Sequence, residues 1–235
     1  MARLRLYPTT TPNSPLEIRT QPPHENCSNL VTMTLYAATS NPGKLAEFST
    51  SASSAGIDVL ALPGLQSMPE PVEDAPTFMG NAELKAVAYS LLAPGLLVFA
   101  DDSGLAADAL NGQPGVRSAR FADDLGFEPG LGTKDERNNR CLLSLLANHP
   151  DRTARFVCTL ALACDGEVLL RSEGTVEGRL LEAPRGKDGF GYDPLFLIPS
   201  LNLTLAELSR EQKWQISHRG NAFRDLLAQL QETPL

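Results

Sequence analysis

From residue 32 onward, stretches typical of strands alternate with stretches typical of helices, and this alternation constrains the fold more than any other feature. The strand TMTLYAAT is followed by a helix with Pro42 in its first turn, which Ser40 or Asn41 can cap. Segments 154–164 and 167–180 have the pattern of two antiparallel strands. Strands that alternate with helices, together with one antiparallel pair, predict an α/β fold with a mixed central β-sheet flanked by helices.

The N-terminal segment differs from the rest of the chain. Residues 1–31 are rich in Pro, Thr, Ser and Asn and show no apolar periodicity, which predicts a disordered extension. Residues 32–235 have the length of one domain. We expect this domain to form two lobes with the active-site cleft between them.

The composition argues against two classes of partner. The formal net charge is −8, whereas proteins that coat nucleic acid hold its phosphates with clustered Lys and Arg. A single polyphosphate could still bind if a metal ion bridged the like charges. No apolar stretch approaches the roughly 18–20 residues that span a membrane. No secretory signal is recognisable, and the four cysteines form no CxxC pair. We therefore expect a cytoplasmic protein that binds neither nucleic acid nor membranes.

The first candidate binding segment joins the first strand to the first helix. It consists of Thr39, Ser40, Asn41, Pro42, Gly43 and Lys44. Backbone amides are free at a helix start, and the helix dipole favours an anion there. Lys44 adds a positive charge near the same place, although the GxxxxGK[ST] spacing of a Walker A loop is absent. The segment indicates an anion site, and the alternative is a capped helix with a surface lysine.

Two adjacent carboxylates, Asp101 and Asp102, directly follow the apolar run LLVFA. We expect the strand to end at this pair with at least one carboxylate in the crevice, where binding sites of open α/β sheets lie. A charged pair beside an apolar strand is costly unless a cation or donors satisfy it, and carboxylate oxygens suit Mg²⁺. The alternative is a turn, because Asp, Ser and Gly are common turn residues.

Two further motifs could form a pocket for a flat ligand. In GFGYDP, residues 189–194, two glycines flank Phe190, whose ring could stack on a base. The alternative is a glycine-rich turn whose aromatic side chains fill the core. Near the C-terminus, Lys213 precedes the start of a helix at which His218 and Arg219 could donate to a common acceptor. A surface position is the alternative for His218.

Taken in order, these motifs resemble those of the inosine triphosphate pyrophosphatase family. The similarity extends from about Met33 to Leu230 and includes SNPGK, TFMGNAELKA, FADDSGLAADALNGQPGVRSAR, GFGYDPLF and EQKWQISHRGNA. Each block is short, but their order and spacing are specific. The resemblance implies a single catalytic domain over residues 32–235 and a Mg²⁺-dependent enzyme. Such an enzyme would hydrolyse the non-standard purine nucleoside triphosphates ITP, dITP and XTP to the monophosphate and pyrophosphate. A homodimer and a role in cleansing the nucleotide pool are also implied.

The resemblance further implies roles for individual residues. Thr39–Lys44 would hold the triphosphate, and Asp102 would be both general base and metal ligand. The second metal ligand is Glu73 or Asp74, and alignment back from Thr77 favours Glu73. The other implied substrate contacts are Lys85 near the phosphates, Ser103, Phe190, Gly191, Tyr192 and Asp193 around the base, and Lys213, His218 and Arg219 at its 6-oxo edge.

The sequence departs from the family pattern at Gly80, where an acidic residue usually precedes the Asn-Ala of the second helix. Two other functions fit parts of the pattern. One is a nucleotide-sensing binding module without turnover, although a sensor needs no water-activating base such as Asp102. The other is a pyrophosphatase for other modified nucleotides, which a comparison of substrates would distinguish.

Overall fold

The computed structural model describes residues 33–53 and 56–232 of the chain. The prediction for residues 1–31 lies outside the described residues. The strands are β1 (Met33–Ala37), β2 (Ile57–Ala61), β3 (Val98–Ala107), β4 (Thr153–Cys164), β5 (Glu167–Leu180), β6 (Phe196–Ile198) and β7 (Leu203–Thr204). The α-helices are α1 (Pro42–Ala52), α2 (Phe78–Leu91), α3 (Phe121–Asp124), α4 (Lys134–Leu146), α5 (Arg210–Ile216) and α6 (His218–Glu232). No helix in these two ranges combines the length and hydropathy needed to cross a membrane.

The strands form one mixed sheet in the order β2-β1-β3-β4-β5-β6-β7. β1 pairs in parallel with both β2 and β3, whereas every later pair of neighbours is antiparallel. The predicted mixed central sheet with flanking helices is therefore confirmed. The β4–β5 hairpin is confirmed too, and its turn residues Asp165 and Gly166 have φ angles of 49° and 84°. Positive φ angles at both central residues match the twist of the flanking strands.

β3 is longer than the sequence predicts. We expected this strand to end at Asp101 and Asp102, but it continues to Ala107 and pairs with β4 along its whole length. Successive side chains of a strand point to opposite faces of the sheet. The two carboxylates therefore point to different faces, and each finds partners on its own face.

Helices cover both faces of the sheet. Phe48 of α1 and Phe223 of α6 pack around Phe99 of β3, with ring centroids 5.1 and 5.8 Å from that of Phe99. α2 covers the opposite face, where Ala82 and Ala100 belong to one buried cluster. The sequence predicts that α1 ends at Gly56, but the helix ends at Ala52.

On the face that α1 and α6 cover, two apolar clusters share the length of β3. Phe99 belongs to a cluster with α1 and α6, and Leu105 belongs to a second cluster with α4 and β6. Asp101 and Ser103 point to the same face and lie between these two apolar residues. The polar band between the clusters corresponds to the cleft between two lobes that we predicted.

The sequence predicts a Ser217 cap for the last helix and a capping box at Thr204–Glu207, and both caps are present. Ser217 caps α6, because its Oγ accepts a hydrogen bond from the Gly220 amide at 3.2 Å. The Thr204–Glu207 capping box is also present, but it begins only a short 3₁₀ turn. A new cap at Ser209 then starts α5.

α6 lies directly on β5 at Gly174. A Cβ atom at this position would come within 2.2 Å of the Ala222 backbone nitrogen and the His218 carbonyl oxygen. The missing side chain therefore allows the helix backbone to touch the strand. This contact sets the depth at which the start of α6 lies in the fold.

Candidate active site

A cavity of about 620 Å³ opens over the polar band of β3. This volume is typical of small-molecule sites. All the residues that we predicted as site residues line it except Pro42, Gly43 and Asp102. The predicted residues that line it are Thr39, Ser40, Asn41, Lys44, Glu73, Lys85, Ser103, Phe190, Gly191, Tyr192, Asp193, Lys213, His218 and Arg219. The fold thus brings motifs that are distant in sequence to one place.

The loop from β1 into α1 forms one wall of this cavity. Asn41, rather than Ser40, caps α1, and its Oδ1 accepts hydrogen bonds from the amides of Gly43 and Lys44 at 2.9 and 3.2 Å. We expected free amides at this helix start, so these two differ from the prediction. They are bonded because the short Asn side chain folds back over the first turn.

Asp101 is a buried anion surrounded by cations. Its Oδ2 accepts hydrogen bonds from Lys44 Nζ at 2.7 Å and Ser103 Oγ at 3.3 Å, and it lies 4.0 Å from Arg219 Nε. Burial alone would raise the pKa of Asp101, but Lys44, Arg219 and Lys85 hold it well below its usual value. Asp101 therefore stays ionised near neutral pH and is a poor proton acceptor.

Asp102 points to the opposite face, toward α2. Its Oδ2 accepts from Asn81 Nδ2 at 3.0 Å, and its Oδ1 accepts from the Ser103 amide at 3.0 Å. Burial raises the pKa of Asp102, and Lys85 and Asn81 offset this only in part. The side chain is still 12% exposed, although it does not line the cavity as Ser103 and Lys85 do. A carboxylate with a raised pKa suits a general base better than Asp101 does.

Glu73 and Asp102 approach the same ammonium group. Glu73 Oε2 accepts from Lys85 Nζ at 3.0 Å, and Asp102 Oδ1 lies 3.9 Å from the same nitrogen. The sequence left Glu73 and Asp74 as candidates for the second metal ligand. Glu73 lines the cavity, whereas Asp74 is exposed and does not line it. The geometry therefore favours Glu73.

The carboxylate pair fits a magnesium ion. Mg²⁺ usually takes one or two protein carboxylates and completes its shell with water and substrate phosphates. Within the described part of the chain, no group of three or more His, Cys, Asp or Glu side chains could hold a metal. Glu73 and Asp102 could therefore hold the ion together with substrate oxygens, but not as a closed protein cage.

The GFGYDP loop exposes one ring to the cavity and anchors its other residues in the protein. Phe190 is 37% exposed, and Lys213 Nζ lies 4.8 Å from the centre of its ring. The Tyr192 hydroxyl donates to the Ser118 carbonyl at 2.9 Å, and Asp193 accepts from Lys213 Nζ at 2.6 Å. Phe190 is thus the residue free to stack on a base, while the polar atoms of Tyr192 and Asp193 bond to the protein.

The residues at the start of α6 are buried. Arg219 is 2% exposed, and its Nη1 donates to Glu47 Oε2 at 2.7 Å. The His218 ring stacks on Phe156 with centroids 4.8 Å apart, so the alternative of a surface histidine is wrong. Burial, together with Arg219 and Lys213, lowers the pKa of His218 well below 6.5. Its Nδ1 is buried without a hydrogen-bond partner among the described residues, and a ligand could satisfy it.

The sequence predictions missed Glu47 and Asp135, which both contact predicted site residues. Glu47 of α1 pairs with Arg219 and lies 3.8 Å from Lys213 Nζ. Its position three residues after a predicted phosphate-binding lysine is a signal that could have identified it. Asp135 accepts from the Gly191 amide at 2.7 Å and so holds the GFGYDP loop to α4. Its partner lies far away in the sequence, so no local pattern indicates this contact.

Comparison with known proteins identifies the family to which the chain belongs. A model of the Ham1 family matches residues 35–229. A dITP/XTP pyrophosphatase of Acidobacterium capsulatum is 49% identical over 199 residues, which cover 84% of this chain and 98% of that protein. The solved structure of a Staphylococcus aureus Ham1 protein aligns with a TM-score of 0.72 and 40% identity, over 85% of this chain and 98% of the other. A HAM1 protein from Coxiella burnetii gives a TM-score of 0.74 and 37% identity, over 86% and 100%. The chain therefore belongs to the Ham1 family.

Proposed function

We propose that this protein is a Mg²⁺-dependent pyrophosphohydrolase that cleaves ITP, dITP and XTP to the monophosphate and pyrophosphate. The observation that carries the proposal is the pair Glu73 and Asp102, two carboxylates from separate segments that approach the same ammonium group of Lys85 beside the cavity. The name of the Acidobacterium capsulatum relative supports the substrate class. Removal of such nucleotides would cleanse the nucleotide pool. A cytoplasmic location and a homodimer remain predictions.

In the proposed reaction, Asp102 takes a proton from the water that attacks the α-phosphorus. A new P–O bond forms there, the bond to the bridging oxygen breaks, and pyrophosphate leaves with the electron pair. The side chains of Lys44 and Lys85 offset negative charge on the phosphate oxygens. Mg²⁺, when bound, reduces the repulsion between the substrate and the carboxylates and polarises the attacked phosphoryl group.

Recognition of the base follows from groups near the exposed ring of Phe190. The ring offers a face for stacking, and Lys213 and Arg219 lie 4.8 and 5.4 Å from its centre. Both cations are donors only, so they can bond a 6-oxo group but not the 6-amino group of adenine. A base that leaves buried donors unpaired is strongly rejected. We therefore expect ITP and XTP to be preferred over ATP.

The central experiment is incubation of the purified protein with ITP and Mg²⁺ in ¹⁸O-labelled water. We expect inosine monophosphate that carries the label, together with unlabelled pyrophosphate. Diphosphate and orthophosphate as products would overturn the assignment of the cleaved bond. Parallel incubations with XTP, GTP, dUTP and ATP distinguish the proposal from a pyrophosphatase for other modified nucleotides.

The largest single-residue effect is expected for Asp102→Asn. The amide cannot accept the water proton, so kcat should fall by roughly 10²–10⁴-fold while the affinity for ITP changes little. Asp58→Asn, at an exposed position on β2, is the matched control and should retain full turnover. Undiminished kcat in Asp102→Asn would refute the assigned base. Wild-type protein that binds ITP without releasing pyrophosphate would instead support a sensing module.

A further inference from the structure

Asn81 of α2 is a buried side chain that connects two separate segments. It is 2% exposed. Its Oδ1 accepts a hydrogen bond from the Ala75 amide at 3.0 Å, and its Nδ2 donates to Asp102 Oδ2 at 3.0 Å. A backbone amide can only donate and an ionised carboxylate can only accept. The two partners therefore fix the orientation of the Asn81 amide.

The same two segments meet again at Lys85, one helical turn further along α2. Lys85 Nζ donates to Glu73 at 3.0 Å and lies 3.9 Å from Asp102 Oδ1. Residues four apart lie on the same face of a helix. α2 thus holds β3 and the segment that carries Glu73 at two points. Because the two carboxylates come from different segments, these two contacts help to set their separation, together with the hydrogen bond from Arg120 Nη2 to the Glu73 carbonyl at 3.4 Å.

We propose that Asn81 is the positioning residue for the carboxylate pair Glu73 and Asp102. It engages Oδ2 of Asp102 and leaves Oδ1 on the side of Lys85. The inference rests on the proposed function, because that function assigns the cation to this pair. Asn81 is 2% exposed and both polar atoms of its side chain are bonded, so it acts through Ala75 and Asp102 rather than on the substrate.

The packing beside Asn81 supports this role. A Cβ atom at Gly80 would lie 2.7 Å from the Cβ of Ala75. The segment that carries Glu73 therefore packs against the start of α2 with no room for a side chain at position 80. Gly80, the departure from the family pattern noted in the sequence, lies at this close contact beside the Ala75–Asn81 hydrogen bond.

The test compares Asn81→Leu, which keeps the branched shape and removes the polar atoms, with Asn138→Leu as matched control. Asn138 is likewise buried, accepts from the Ala122 amide at 2.9 Å and donates to the Ser118 carbonyl at 3.2 Å. Among the described residues, the hydrogen-bond partners of the Asn138 side chain are all backbone groups, with no carboxylate. We expect Mn²⁺ affinity, measured by electron paramagnetic resonance without nucleotide, to be roughly 10–100-fold weaker in Asn81→Leu. In Asn138→Leu it should be unchanged.

A crystal structure of the Asn81→Leu variant gives an independent measurement, and we expect the Glu73 and Asp102 carboxylates to be displaced. Wild-type Mn²⁺ affinity in this variant, undisplaced carboxylates, or a wild-type protein with no measurable Mn²⁺ affinity would each overturn the inference. Asn81→Ser takes the place of the Leu variant, with the same expectations, if the latter does not fold. Absence of pyrophosphate release by the wild type would refute the proposed function alone, because neither measurement depends on turnover.

Discussion

The two faces of β3 surround adjacent carboxylates in different ways. On the face covered by α1 and α6, Asp101 contacts Lys44 at 2.7 Å and lies 4.0 Å from Arg219. On the face covered by α2, Asp102 has an amide partner and an ammonium group at 3.9 Å. The pKa of Asp101 is lowered by its cations, and that of Asp102 is raised by burial. Neighbouring residues of one type can thus serve as a permanent anion and as a proton acceptor, because a strand places them in separate environments.

The largest difference between the two carboxylates is expected in how much their replacement by Asn lowers the free energy of unfolding. Asp101→Asn leaves Lys44 and Arg219 without their shared anion, and removal of one partner of a buried ion pair costs about 3–5 kcal/mol. We expect a loss near the lower end, about 3 kcal/mol, because Arg219 keeps Glu47 as a partner. Urea unfolding at neutral pH measures this change.

Asp102→Asn is the matched variant for this measurement. A raised pKa means that the fold disfavours the ionised form of Asp102. The amide, however, replaces one of its two acceptor oxygens with a donor, so we expect a loss of about 1 kcal/mol, smaller than for Asp101→Asn. Equal losses in the two variants would remove the distinction between the faces.

The Asp101 face should also show a pH dependence through His218. Above about pH 6.5 this residue is neutral in both the folded and the unfolded chain. Below that pH only the unfolded chain gains the proton, because the folded pKa is lowered. The free energy of unfolding should therefore decrease as the pH is lowered, by about 1 kcal/mol between about pH 6.5 and 5.5.

Urea unfolding of His218→Gln at the two pH values isolates this contribution. We expect the wild type to lose about 1 kcal/mol more than this variant over the interval. His149→Gln, at an exposed position, should behave like the wild type. If the free energy of unfolding of His218→Gln changed with pH as much as that of the wild type, burial would not be holding the ring neutral.

The smallest effect is expected on the Asp102 face, at Gly80. Helix propensity alone predicts that Gly80→Ala stabilises the protein by up to about 1 kcal/mol. The new Cβ would lie 2.7 Å from that of Ala75, so we expect the gain to be cancelled. Removal of the opposing methyl group in Gly80→Ala/Ala75→Gly, compared with Ala75→Gly alone, should restore it. If Gly80→Ala alone stabilised the protein by the full amount that helix propensity predicts, the contact between positions 80 and 75 would be too loose to matter.

Features that depend on neighbours in the sequence were predictable. The hairpin turn at Asp165 and Gly166 and the Thr133–Glu136 capping box follow from local residue types, and the structure has both. The end of β3 was not predictable, since two adjacent charges alone indicate a break. Their partners Lys44, Lys85 and Arg219 come from three different helices, and only the folded chain shows that both charges are satisfied.

In the candidate site, too, features set by neighbouring residues were predictable, whereas features set by distant contacts were not. Ordered motifs predicted about half of the residues that line the cavity, because each motif is short and local. Sequence could not show which of two identical carboxylates has the raised pKa, since burial and distant cations determine it. It also could not show that the amides of Gly43 and Lys44 bond to Asn41, or that Glu47 contacts Arg219.

The contact between α6 and β5 at Gly174 bears on how the base preference of this protein could be altered. His218 and Arg219 stand at the start of a helix that rests on strand backbone, with no side chain between. A mutant library confined to the residues around the cavity would change the side chains at these two positions but not the position of their backbone. A library that includes position 174 would move the whole helix outward, and with it both side chains at once, a change that no substitution within the cavity can produce.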